Sequence, residues 1–75
     1  MPKTTPLDLA PREIEVIKLL AENLEFSEIG ERLGLSQRTV QHYANTARLK
    51  LGGVKWAHQL PQAYQEATGD DPWAE

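Results

Sequence analysis

Apolar residues return at three- and four-residue intervals through most of the chain, and each series stops at residues that end helices. Ile14, Ile17, Leu20 or Ala21, and Leu24 make the first series, behind a proline at position 11. Proline suits the first helical position because its missing N–H has no partner there anyway, so helix one is predicted from Pro11 through Ala21. Its start is expected to be weak, since Ala10 at the cap position has no side-chain acceptor. Ile29 and Leu33 form an i, i+4 pair, with Ser27 as the expected N-cap, Glu28 favouring the positive end of the helix dipole, and Gly34 as the stop. Ser36 then caps a third series, Val40, Tyr43 or Ala44, Ala47 and Leu51, which Gly52-Gly53 ends. Helix three is predicted over about residues 37–51. Only Gly34, Leu35 and Ser36 separate helices two and three, a helix-turn-helix spacing in which Leu35 plugs the angle.

Trp56, Leu60, Ala63, Tyr64 and Ala67 suggest a fourth helix over about 55–67, interrupted by Pro61. Either this helix begins near Pro61, or it begins near Lys55 and bends where the proline removes a hydrogen bond. The alternating pattern of a strand is missing, so the fold class is all-α with four helices. Residues 7–67 make the domain, 1–6 read as a flexible arm, and 68–75 read as an acidic flexible tail. A tail folded onto the basic helix, or offered to a partner, is the other reading of Asp70-Asp71-Pro72-Trp73.

At 75 residues the chain has room for one core, and burial supplied by a second copy would add to its stability. With no cysteine and two histidines it has no disulfide, no thiolate metal site and no thiol nucleophile, and no cofactor is expected. No apolar run exceeds three residues, which excludes a membrane span and a secretory signal and points to a cytoplasmic protein. An enzyme is not expected. His42 and His58 read as surface or interface residues, and Glu13 with Glu15, like Glu28 with Glu31, reads as a solubilising face.

The net charge of −3 conceals a segregation. Residues 7–36 carry seven acids against three bases, residues 59–75 carry four acids, and 37–58 carry Arg38, Arg48, Lys50 and Lys55 with no acid. A basic element inside an acidic body steers toward phosphate while limiting non-specific adhesion. Wound at about 100° per residue, helix three turns Val40, Tyr43, Ala44, Ala47 and Leu51 to the core and Arg38, Gln41, His42 and Asn45 outward. Arg38 has the donors for guanine O6 and N7, Gln41 and Asn45 match adenine N6 and N7, and His42 matches guanine N7 or a phosphate. Arg48, Lys50 and Lys55 are expected on phosphates, joined by Ser36, Thr39 and the free N–H groups of the helix start. Leu49 falls on the outer face, where it either packs on the segment after Val54 or meets a thymine methyl.

The stretches Leu9 to Val16, Glu28 to Ser36, Thr39-Val40 and Leu49 to Gly52 together resemble the LuxR/GerE-type helix-turn-helix domain of bacterial transcription regulators. The resemblance implies a four-helix domain with helix three in the major groove and helix four in a two-fold dimer contact, here Trp56, Leu60, Ala63 and Tyr64. It also implies DNA contacts at Ser36, Gln37, Thr39, Val40, Gln41 and Lys50. The chain departs from the family pattern at Ala10, Gln41, Tyr43, Gly53, Trp56 and Pro61; Gln41 and Trp56 stand where a phosphate-binding Lys and Arg are usual. The ten residues before helix one imply a stand-alone domain with no sensor. The expected function is sequence-specific regulation of transcription as a homodimer on an inverted repeat in double-stranded DNA. The alternative is a protein-interaction module that sequesters a larger regulator or contacts RNA polymerase, suggested by the acidity and the exposed Leu49, Trp56 and Trp73.

Overall fold

A computed structural model describes residues 9–69 and 71–73 as α1 (Pro11–Ala21), α2 (Phe26–Leu33), α3 (Gln37–Lys50), a 3-10 turn (Ala57–Gln59) and α4 (Leu60–Thr68). The arm expected at 1–6 lies outside the described residues, as do Asp70, Ala74 and Glu75 of the tail. Helix α3 packs across α1 and α2, while α4 packs mainly on α1 and also touches α3. Val16, Ile17, Ile29, Val40, Ala44, Ala47, Leu60 and Tyr64 form the buried core, with Leu9 at its edge. Ile14, Leu20, Leu24, Leu33 and Leu35 pack half-buried around it.

The helix starts show how local chemistry sets the boundaries. Ala10 has no cap of its own, but Glu13 reaches back to accept its N–H at 2.7 Å. Ser27 does not cap α2. The helix begins two residues earlier than that cap implies, at Phe26, behind an extended Glu25 whose N–H donates to Glu28 Oε1 at 3.1 Å. At both starts a glutamate three positions past the cap accepts the N–H of the cap residue, the reach-back half of a capping box. Ser36 does cap α3, accepting the Thr39 N–H at 3.1 Å.

The tight connection between α2 and α3 rests on two glycines. Gly34 ends α2 in the left-handed region at φ 70°, where a side chain is strained. Gly30 faces the returning chain: the Leu35 N–H bonds to its carbonyl at 2.8 Å, and a Cβ on Gly30 would stand 2.5 Å from the Leu35 carbonyl oxygen. Past α3, the Gly53 and Val54 N–H groups both return to the Arg48 carbonyl, turning the chain back along the helix end.

Pro61 resolves the choice left open at the fourth helix. It sits in the first turn of α4, preceded by the 3-10 turn, so the helix does not bend through it. Beyond α4, Pro72 is buried and the Asp71 carboxylate accepts the Trp73 N–H at 2.9 Å. The described part of the tail therefore rests on the body of the molecule, with the Trp73 ring half exposed.

Candidate nucleic-acid interface

The basic segment is presented by one helix and the loop that follows it. At the start of α3, the Ser36 and Thr39 hydroxyls lie 2.9 Å apart beside the first-turn N–H groups of Gln37 and Arg38, which have no intrahelical acceptor. Arg38, Gln41, His42 and Asn45 lie along α3, and helical spacing aligns them on the side away from Val40, Ala44 and Ala47. Gln37 is exposed but turned off this face: it lines a groove of about 300 Å³ with Leu20, Leu24, Phe26, Ala57 and His58. Leu49 stays 75% exposed and does not pack on the segment after Val54, contrary to the first of the two expectations for it.

The three remaining cations have different fates. Lys55 is exposed, its ammonium 5.6 Å from the Trp56 ring centroid. Arg48 is half-buried and turns toward the returning loop, donating through Nη1 to the Lys55 carbonyl at 2.6 Å while its Nε is buried without a hydrogen-bond partner. One N–H of its guanidinium therefore closes the turn after α3. Lys50 donates to Glu13 Oε1 at 2.9 Å, its side chain 39% exposed.

Glu13 is the residue that sequence reasoning misplaces. Far from solubilising a face, it is 2% exposed, held between the start of α1 and the end of α3. Oε1 accepts from Lys50 and from the Ala10 N–H, and Oε2 accepts from the Thr46 hydroxyl at 2.6 Å. Burial pushes the carboxyl's pKa up, but the hydrogen bonds from Thr46, Lys50 and Ala10, with the Lys50 charge, outweigh it and hold the group below the ordinary carboxylate range. Glu15, two positions on, is the exposed partner of Arg12 at 3.3 Å, a pair of little energetic weight. The available signal for Glu13 is its position one turn before Ile17 and next to Ile14, inside the buried stripe.

The expected dimer set divides. Leu60 and Tyr64 are buried in the chain's own core and are not available to a second copy, which corrects that assignment; their helix buries its apolar face on α1. Trp56, 54% exposed, and the half-buried Ala63 remain accessible. Among the described residues no cluster of three or more His, Cys, Asp or Glu could hold a metal ion, and no helix is long and apolar enough to cross a membrane.

Comparison with known proteins agrees with this geometry. The GerE family, described as bacterial regulatory proteins of the luxR family, matches residues 7–67. The transcriptional activator protein BjaR1 of Bradyrhizobium diazoefficiens is 42% identical over 55 residues. The match covers 73% of this chain and 23% of that protein, so the chain spans about a quarter of the length of this curated relative. No solved structure gives a significant match.

Proposed function

This chain belongs to the luxR family of bacterial regulatory proteins, and we propose that it reads a specific duplex sequence as a homodimer on an inverted repeat. Membership in that family, with a transcriptional activator among its relatives, supports DNA-binding regulation of transcription. The observation that carries the finer reading is the outward row Arg38, Gln41, His42 and Asn45, set together on a helix whose opposite side is core. Ser36, Thr39 and the first-turn N–H groups suit phosphates at the helix start, and Lys55 suits one beyond its end. A second copy would meet this one through Trp56 and Ala63, and such a reader of chromosomal DNA works in the cytoplasm. Arg38→Ala and Asn45→Ala are each expected to weaken binding to the specific site by about 1–3 kcal/mol with the helical circular dichroism unchanged. Loss of folding in these variants contradicts the assignment, because it makes the row part of the core.

A second reading, a protein-interaction module that sequesters a larger regulator or contacts RNA polymerase, is favoured by the exposed Leu49 and Trp56. Capture of a regulator by a protein with no duplex affinity of its own supports it over the first.

A further inference from the structure

We propose that Lys50 is the internal counter-ion of Glu13 and carries no charge to a phosphate, so that Glu13 acts as a positioning residue fixing the angle at which α3 meets DNA. This rests on the DNA-reading role of α3. The two residues belong to different helices, and the Lys50 ammonium lies 2.9 Å from a carboxylate that is 2% exposed. The same carboxylate takes the Thr46 hydroxyl and the Ala10 N–H, so both its oxygens are occupied within the α1–α3 seam. Drawing the ammonium away to a phosphate leaves a carboxylate that is 2% exposed without its cation. Taking the cation from a buried carboxylate costs more than a single solvent-exposed phosphate contact returns. Arg38 and Lys55, exposed at the two ends of the basic segment, are then the side chains that release counter-ions on binding. The seam has a mechanical consequence as well: Thr46 and Lys50 are one turn apart on α3, so Glu13 grips the helix at two points and resists rotation about its axis.

The test is the slope of log K against log salt for the full chain on a mixed-sequence duplex. Removing a cation that neutralises one phosphate lowers the slope's magnitude by about 0.9. Lys55→Met is expected to lower it by that amount, Lys50→Met and the double variant Glu13→Gln with Lys50→Met to leave it unchanged, and Glu13→Gln to raise it as the lysine is released. The double variant, which leaves no buried charge unpaired, guards against loss of folding in Lys50→Met. A slope lowered by about 0.9 in the double variant overturns the proposal. If the wild-type chain binds no duplex, the DNA reading fails by itself and urea unfolding decides the pair. Lys50→Met must then shift the midpoint much further in the wild-type background than in Glu13→Gln; equal shifts overturn the pairing.

Discussion

Gly30→Ala sets two effects of opposite sign against each other, and the geometry decides between them. Alanine in a helix interior is favoured over glycine by about 1 kcal/mol, so on propensity alone this variant of α2 gains stability. The added Cβ, however, stands 2.5 Å from the Leu35 carbonyl oxygen, a backbone atom with no rotamer by which to escape. Ordinary contact begins at 3.4 Å, so the Leu35 peptide must recede by 0.9 Å. That peptide is tethered to the same helix by its N–H on the Gly30 carbonyl at 2.8 Å, and it leads directly into the Ser36 cap of α3. Overpacking of this kind costs about 1–3 kcal/mol, and a hydrogen bond lost in the adjustment costs about 1 more. The net expectation is a loss of about 1–3 kcal/mol, read as a urea midpoint lower by about 1–2 M at unchanged m. A midpoint equal to or above that of the wild type refutes the reasoning, because it means the turn has room for a side chain.

Gly34→Ala, where a Cβ meets open space but the backbone stands at φ 70°, is expected to cost about 1 kcal/mol from backbone strain alone, measured by the same unfolding curve. Ser36→Ala removes the acceptor for the Thr39 N–H and is expected to cost about 1 kcal/mol, with helix α3 fraying first in hydrogen exchange. The depressed Glu13 carboxyl binds fewer protons in the folded than in the unfolded chain at acid pH, so its stabilisation is full above the ordinary carboxylate pKa and fades as pH falls through the lower folded value. Glu13→Gln should therefore flatten the acid limb of the stability curve; an unaltered limb contradicts the burial and pairing assigned to this residue. Trp56→Ser is expected to leave the monomer's unfolding free energy within about 0.5 kcal/mol of wild type while shifting sedimentation toward the monomer.

The helices are legible in the sequence because each is punctuated: Pro11 opens α1, Gly34 and Ser36 bracket the turn, and Gly52-Gly53 ends α3. The outward row on α3 is equally legible, since fixed rotation per residue leaves Arg38 and Asn45 nowhere else to point. What escapes a linear reading depends on contacts between distant residues. Glu13 looks like any surface acid until Thr46 and Lys50, more than thirty positions later, are brought to its two oxygens. Arg48 counts as a free cation until the chain returns and offers it the Lys55 carbonyl. The apolar stripe of α4 is plain in the sequence, but periodicity does not say whether it faces its own core or a second copy. The structure assigns Leu60 and Tyr64 to the core, because α1 has an apolar face that would otherwise be open to water. Ser27 yields to Glu25 for the same kind of reason: Glu28 reaches back to the Glu25 N–H, and the good cap residue stands two positions too late.

Whether α3 reads sequence is decided by selecting bound duplexes from a random-sequence library with the purified chain, at about 0.15 M salt where charge-only binding is largely screened. A dimeric reader enriches an inverted repeat, and its half-sites lose their preference in Arg38→Ala and Asn45→Ala. A folded protein that enriches no sequence contradicts that role and transfers the outward face of α3 to a protein partner.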